Sequence, residues 1–202
     1  MRYLFSFIFI FLFLGYESYS QILPGMFGSA VKKGSGGAGS SCSSSESLMG
    51  LPNQSSSFST NVRGYYFTAP TDFCITAVKV PTDLSSGCQS VAIVRFNSGA
   101  PPQYSSTTND FTQLHYTSCL ASTDKITVDI SVSQGDVIGI YGCRGTNCGN
   151  SYGSGNYSTS IAGNAVTLYR SGMQFNLVSN QMKEVWAEGS SSISRVEMYY
   201  KN

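Results

Sequence analysis

The fold class is decided by a stretch that reads KITVDISVSQGDVIGIY, from Lys125 to Tyr141. Its first part alternates, with Ile126, Val128 and Ile130 on one side and polar residues on the other. Such alternation is typical of a half-buried β-strand. The Gln-Gly-Asp sequence at 134–136 predicts a turn, and the apolar run after it predicts a buried strand.

The same pattern of short apolar runs and turn residues continues through most of the chain. Predicted strands cover 64–68, 73–80, 90–96, 111–119, 125–130, 137–141, 165–169, 173–178, 184–187 and 193–200. No stretch has a sustained helical period with caps. About nine or ten strands separated by frequent turns favour an all-β fold. We expect an antiparallel two-sheet β-sandwich, jelly-roll-like, over residues 58–202.

The first twenty residues have the layout of a secretory signal peptide. A short basic start precedes an apolar run from Leu4 to Leu14, and small residues at Ser18 and Ser20 favour cleavage before Gln21. The run is too short to cross a membrane as a helix, and a retained membrane anchor is the alternative. We expect a secreted protein, extracellular or at the cell surface, with no integral membrane segment after cleavage.

Residues 21–57 differ from the rest in composition, because glycine and serine dominate from Gly34 to Ser57. Such a segment buries too little apolar area to offset its conformational entropy. We expect a flexible Gly/Ser-rich leader over 21–57. A short apolar island at 48–51, Leu-Met-Gly-Leu, is expected to dock on the domain or to cap its edge.

The chain carries little charge. Charged residues make up 11% of it and the formal net charge is +1, whereas ~25% charged residues are usual in soluble domains. Such a surface has no electrostatic attraction for nucleic acid, so we expect no nucleic-acid partner. The expected partners are an extracellular polymer, a glycan or copies of the chain itself.

The cysteine count predicts disulfides, because it is even and follows a signal peptide. The six are Cys42, Cys74, Cys88, Cys119, Cys143 and Cys148. Many pairings are possible, and the favoured one joins Cys143 to Cys148 across a short turn. Cys42 either pins the leader to the core or pairs with another chain. With one histidine and no C-x-x-C pair, we expect no metal and no cofactor.

The glycine-rich segment 142–160 is the longest irregular stretch and therefore a candidate binding region. Tyr152 and Tyr157 offer rings, and Asn150 and Asn156 offer polar partners. A sugar-binding or self-adhesive surface uses this combination, while the alternative is that the tyrosines pack onto the sandwich. Trp186, the only tryptophan, stands by alternation on an exposed polar face or, alternatively, in a hydrophobic patch.

Catalytic patterns in the chain are weak. Paired carboxylates could perform glycoside hydrolysis, and the candidates are Glu184, Glu188, Glu197, Asp124, Asp129 and Asp136. The G-x-S-x-G run at 149–153 lacks the helix that follows a hydrolase nucleophile. Its base would have to be His115, which lies in a strand-like run where a lone histidine is usually structural. We therefore expect no enzyme.

Two further runs specify elements of a fold. RGYYFTAP at 63–70 leads into FCITAVKVP at 73–81, and VSQGDVIGI occupies 132–140. They resemble the paired aromatic strands and the V-x-x-G-D-x-I-G-I hairpin of secreted, jelly-roll-like β-sandwich modules from environmental bacteria of the Bacteroidetes type. The resemblance covers roughly residues 58–202 and implies no functional residue.

These observations favour a secreted, non-enzymatic structural, adhesive or surface-assembly protein. One alternative is a carbohydrate-binding, lectin-like module that stacks sugars on Trp186, Tyr152 and Tyr157, with Asn150 and Asn156 as polar partners. A second alternative is a glycan-active hydrolase that uses two of the glutamates.

Overall fold

The structure is a computed structural model that describes residues 42–189 and 192–202. Within these ranges every regular element is a β-strand and no helix occurs. The strands are β1 (Ser47–Leu48), β2 (Ser56–Phe58), β3 (Arg63–Thr68), β4 (Phe73–Lys79), β5 (Gln89–Phe96), β6 (Phe111–Leu120), β7 (Ile126–Val132), β8 (Val137–Arg144), β9 (Asn150–Gly153), β10 (Tyr157–Ile161), β11 (Asn164–Gly172), β12 (Trp186–Ala187), β13 (Ile193–Ser194) and β14 (Glu197–Lys201). The expected signal peptide and residues 21–41 lie outside the described ranges.

The strands form three antiparallel sheets. The first has the order β1-β14-β4-β7 and the second the order β10-β11-β3-β8-β5-β6, with β12 paired to β11. The third has the order β13-β9-β2. In the second sheet β8 lies between β3 and β5, so that Tyr141 faces Gly64 on one side and Ala92 on the other. The apolar run of β8 therefore belongs to an interior strand.

Two apolar cores lie on opposite faces of the second sheet. The first core combines side chains of the four-stranded sheet, such as Ile75, with side chains of the second sheet, such as Tyr65 and Ile140. The other core is covered by the chain after β11, which contributes Met173 and Leu177. Because both faces are covered, β5 and β8 are apolar almost throughout rather than alternating.

The predicted all-β class is confirmed, and the number of strands differs. Fourteen strands in the described residues replace the nine or ten expected, because several are only two to four residues long. Residues 173–178 form no strand and instead cover the second core. Of the strand predicted at 184–187 only β12 is present, and the run 193–200 is split between β13 and β14 of different sheets.

The turn predicted at 134–136 is confirmed, and Gly135 adopts the positive φ of +89° that such a turn requires. The strands that it joins do not pair with each other. β7 pairs with β4, whereas β8 pairs with β3 and β5. The hairpin that the resemblance implies is therefore a connection between two sheets.

Residues 42–57, which the composition assigns to a flexible leader, lie within the folded domain. β1 pairs with β14, and Met49 of the apolar island is buried. Glu46 accepts a hydrogen bond from Thr76 and forms an ion pair with Lys125. The island therefore docks on the domain, as expected. The disulfide from Cys42 and the buried Met49 side chain stabilise a segment whose average composition does not predict order.

Three disulfides join Cys42 to Cys74, Cys88 to Cys119 and Cys143 to Cys148. The expectation of disulfides and the Cys143–Cys148 pairing are confirmed. The alternative that Cys42 pairs with another chain is wrong, because its sulfur is bonded to a residue of β4 in the same chain.

Candidate functional site

A groove of about 480 Å³ lies where β2, the loop at 84–85 and the turn after Cys143 meet. We call it the disulfide-turn groove. It is lined by Ser57, Phe58, Ser59, Leu84, Ser85, Arg144, Gly145, Thr146, Asn147 and Gly149. Apart from Arg144 these residues are uncharged, and they place hydroxyl and amide groups beside the exposed side chains of Phe58 and Leu84. Its volume is within the range of small-ligand sites.

The turn that forms one wall of the groove is fixed by several bonds. The Cys143–Cys148 disulfide closes it, and Arg144 and Gly149 exchange backbone hydrogen bonds of 2.9 and 2.7 Å. The N–H of Thr60, just after β2, donates to the carbonyl of Asn147 in the turn at 2.8 Å and so connects the two segments. This wall is therefore formed before any ligand binds, which lowers the entropic cost of binding.

Arg144 connects the turn to the loops beside it. Its side chain is buried, and its guanidinium donates to the carbonyl oxygens of Val80, Pro81, Gly87 and Ser122 over 2.7–3.1 Å. Burial lowers the pKa of this guanidinium, which nevertheless remains charged at neutral pH. The four bonds hold the loops in place around β8.

Phe58 is the residue at which the groove meets a stack of rings and guanidinium groups. Arg63 Cζ lies 5.1 Å from the centroid of the Phe58 ring and 4.9 Å from that of Trp186. The Phe58 ring is also stacked on Tyr152 at 6.2 Å, and Arg170 Cζ lies 4.9 Å over Tyr152. We call these five residues the cation–aromatic ladder. Each contact between a cation and a ring is favourable by ~0.5–2 kcal/mol, so the ladder holds the Phe58 ring in position.

Hydrogen bonds and an ion pair fix Arg63 and the two end members of the ladder, Trp186 and Arg170. Arg63 Nη1 donates to the carbonyls of Val62 at 3.0 Å and Met173 at 2.8 Å. Trp186 Nε1 donates to Glu188 at 3.1 Å, and the same carboxylate forms an ion pair with Arg170. Burial lowers the pKa of Arg63, an effect that the hydroxyl of Tyr152 and the carboxylate of Glu188 oppose. One carboxylate thus partly compensates two guanidinium groups.

Asn150 joins the ladder to the turn. Its side chain is fully buried, and Oδ1 accepts a hydrogen bond from the N–H of Arg63 at 2.8 Å. Nδ2 donates to the carbonyls of Asn61 and Cys148 at 2.9 Å and of Phe58 at 3.3 Å. The amide that the sequence offers as a ligand-binding group is used inside the protein.

The structure separates the other predicted ligand-binding residues into two groups. Trp186 and Tyr152 belong to the ladder and are 1% and 6% exposed. The expectation of an exposed face for Trp186 is wrong, because Tyr104 covers its ring at 5.4 Å, and the alternative of a hydrophobic patch is correct. Tyr157 is half-buried on β10 against the first core, and Asn156 is exposed in the preceding turn. The rings of Trp186 and Tyr152 are therefore not exposed for stacking against a ligand.

The candidate catalytic residues have other partners. Ser151 of the G-x-S-x-G run is buried, and its hydroxyl donates to Asp83 at 3.0 Å and accepts from Arg195 at 3.1 Å. His115 Nε2 forms a hydrogen bond of 2.9 Å with the hydroxyl of Thr117. The described contacts do not bring this serine and histidine together. Of the glutamates, Glu188 accepts a hydrogen bond from Trp186 of the ladder, and Glu197 accepts one from the hydroxyl of Tyr199. Glu184 lies in a turn with a φ of +48°.

His115 predicts a small loss of stability in acid. Burial lowers its pKa below the value of 6.5 assigned to the exposed group, so near pH 6 and below the unfolded chain binds a proton more readily than the folded chain. Above that range the imidazole is neutral in both states and contributes nothing. We expect the stability lost between pH 7 and pH 5 to be smaller in His115→Gln than in wild type, as measured by urea unfolding. An equal loss in both proteins contradicts this assignment.

The sequence does not predict Phe58 or Leu84 as groove residues, whereas Thr146 lies within the segment 142–160, the candidate binding region. The signal that was present is the run SSSFST at 55–60, in which one aromatic residue stands among hydroxyl groups. Nothing in the sequence relates this run to the turn some ninety residues later, because the two are brought together by long-range contacts: the pairing of β2 with β9 and the hydrogen bond from Thr60 to the turn.

No protein-family model, curated protein or solved structure matches the chain. In residues 42–189 and 192–202 there is no helix that could span a membrane. The same residues contain no group of three or more histidine, cysteine, aspartate or glutamate side chains arranged to hold a metal ion.

Proposed function

We propose that this chain is a secreted, non-enzymatic adhesive or surface-assembly protein with a jelly-roll-like sandwich fold. In this proposal it contacts an extracellular polymer, or another copy of itself, along β2 and the disulfide-turn groove. Secretion is supported by the signal-peptide pattern and by the three disulfides, which persist in oxidising compartments.

The strand order supports the jelly-roll part of the proposal. If the short β2 and the insertion β9–β13 are set aside, the eight remaining strands divide into β1-β14-β4-β7 and β3-β8-β5-β6. With those elements set aside, the chain passes between these two groups at β1–β3, β3–β4, β4–β5, β6–β7, β7–β8 and β8–β14. Both groups contribute to the first core. Eight antiparallel strands that cross repeatedly between two sheets are characteristic of a jelly roll.

The observation that carries adhesion is the exposure of β2. Every residue from Asn53 to Thr60 is exposed, although β2 is paired with β9 along one edge. β2 ends the order β13-β9-β2, and its outer edge has no strand beside it in the described residues. An unprotected strand edge offers hydrogen-bonding groups to another chain. Small uncharged side chains leave that edge accessible.

The groove favours carbohydrate binding as the second candidate function. The ring of Phe58 is 36% exposed and is held in place by the ladder. Beside it lie the hydroxyl groups of Ser57, Ser59, Ser85 and Thr146. A rigid aromatic face next to several small polar groups suits a ligand that has an apolar face and a hydroxyl rim.

Two variants test whether the groove binds polymer. Phe58→Leu removes the planar ring and keeps its apolar bulk, and Thr146→Arg fills the groove from an exposed position. We expect each to weaken binding by at least about tenfold, because loss of a central anchor costs ~2 kcal/mol or more and each ~1.4 kcal/mol is tenfold. Retention on a panel of insoluble polysaccharides, followed by titration of any soluble fragment, measures the effect.

Leu120→Ala is the matched control, because Leu120 is similarly exposed at 42% and does not line the groove. It should bind as wild type does. Size exclusion over a range of concentrations separates the two candidate functions. Self-association without glycan retention favours assembly along β2, and retention lost in both groove variants favours carbohydrate binding. A strictly monomeric protein that adheres to no polymer contradicts both.

A further inference from the structure

Tyr66 and Tyr169 form a cross-strand pair of phenols at the protein surface. They lie directly opposite each other on β3 and β11. Their ring centroids are 5.4 Å apart and their planes are inclined by 30°. Tyr169 is 40% exposed and Tyr66 is half-buried. Among the ring contacts of the described residues, this is the one pair that consists of two tyrosines.

The other readily oxidised side chains of the described residues are protected. Met49, Met173, Met182 and Met198 are all at most 6% exposed, and Trp186 is 1% exposed. All six cysteines are in disulfides. Oxidation of thioether and thiol groups depends on their exposure. An oxidant that reaches this part of the chain therefore meets exposed phenols first.

We propose that Tyr66 and Tyr169 are an oxidative cross-linking site, at which a peroxidase with hydrogen peroxide joins the two rings as dityrosine. Each phenol loses one electron and its hydroxyl proton and becomes a phenoxyl radical. The radicals couple through the carbons ortho to oxygen, and each ortho proton then moves to the phenolic oxygen. Breaking of the peroxide O–O bond consumes the two electrons and two protons and yields two water molecules.

The geometry favours a link within one chain. Opposite residues of antiparallel strands are held at close contact by the backbone, so the two radicals meet without a change of fold. Tyr104 is more exposed, at 57%, yet its ring partner is Trp186 rather than a second phenol. Among the ring contacts of residues 42–189 and 192–202 Tyr104 has no second phenol, so we expect it to couple between chains. The link fastens β11 to β3 covalently and, unlike a disulfide, withstands thiols. This inference does not depend on the proposed function.

The test treats the full chain, with its three disulfides intact and at low micromolar concentration, with peroxidase and hydrogen peroxide. We expect the monomer to gain dityrosine fluorescence and to lose the mass of two hydrogen atoms. After proteolysis, one cross-linked peptide pair should contain Tyr66 and Tyr169. Tyr169→Phe and Tyr66→Phe each retain an aromatic ring and should reduce monomer fluorescence at least tenfold, whereas Tyr104→Phe should leave it unchanged.

Several outcomes overturn the proposal. One is undiminished dityrosine in monomeric Tyr169→Phe, and another is wild-type coupling that occurs only between chains. Absence of dityrosine from the wild-type monomer also overturns it. Circular dichroism of the untreated variants shows that each is folded. In the presence of a thiol reductant, the peroxidase-treated wild type should melt several degrees above the untreated wild type. Treated and untreated Tyr169→Phe should melt at the same temperature.

Discussion

Replacing Gly64 with alanine is expected to destabilise the fold by more than about 3 kcal/mol, or to prevent folding. A Cβ built on Gly64 would lie 2.0 Å from the carbonyl oxygen of Ile140 and 2.8 Å from the Cα of Tyr141. Both atoms belong to the backbone of β8, which is paired on its other side with β5. Relief of the clash requires β3 and β8 to separate. Overpacking of side chains alone costs ~1–3 kcal/mol, and a backbone clash has fewer ways to relax.

Urea unfolding, followed by the fluorescence of the only tryptophan, measures this effect. Gly189→Ala is the matched control, because no atom beyond its own residue and its two chain neighbours lies within 4 Å of the position of its Cβ, and its φ is not in the left-handed region. That variant should remain within ~0.5 kcal/mol of wild type. A Gly64→Ala protein that unfolds at the wild-type urea concentration shows that the two strands are farther apart than the structure has them.

The strands β7 and β8 could be predicted because local pattern and final environment agree in them. Ile126 to Val132 alternates and forms β7 with one covered face, and the apolar run after Gly135 forms β8 with both faces covered. The Cys143–Cys148 pairing could also be predicted, because the two cysteines are only five positions apart and a disulfide between them closes a short turn. In these elements the information is contained within about ten residues.

Trp186 shows where local pattern fails. Alternation places Trp186 opposite Val185 and Ala187, yet all three are buried. β12 is only two residues long and is paired with β11, while the chain around Tyr104 covers its other side. Burial of both faces depends on a loop some eighty residues earlier in the chain. Periodicity within the strand contains no information about that loop.

The groove is unpredictable for a similar reason. Its three walls come from residues 57–59, 84–85 and 144–149, and the first of these belongs to a run whose composition indicates disorder. The run is ordered because β2 pairs with β9 and because the buried amide of Asn150 binds the carbonyl of Phe58. Both interactions join residues about ninety positions apart. The sequence therefore identifies the polar, uncharged character of the surface, and the topology places its parts together.

Replacing Arg63 with alanine is expected to destabilise the protein by about 3–4 kcal/mol. Arg63 is 5% exposed, and its guanidinium lies over the rings of Phe58 and Trp186. Truncation removes two cation–aromatic contacts of ~0.5–2 kcal/mol each and leaves a cavity. It also removes the side-chain hydrogen bonds to the carbonyls of Val62 and Met173. The carbonyl of Val62 keeps a bond from the N–H of Met173 at 3.4 Å, whereas that of Met173 has no other donor among the described contacts. A buried carbonyl without a partner costs ~1–3 kcal/mol. Urea unfolding measures the loss.

Three companion variants separate the sources of this stabilisation. Arg95→Ala removes a guanidinium that is more exposed and ion-paired with Asp136, and it should cost less than ~1 kcal/mol. Arg63→Lys keeps the charge without the planar group and should recover less than half of the loss. Arg63→Met fills the space without charge. If Arg63→Met is as stable as wild type, the ladder is held by packing alone, since buried charges are often replaceable by apolar groups of similar volume. We expect Arg63→Met to remain at least about 1.5 kcal/mol less stable, because the buried carbonyl of Met173 loses its donor and the carbonyl of Val62 loses one of two.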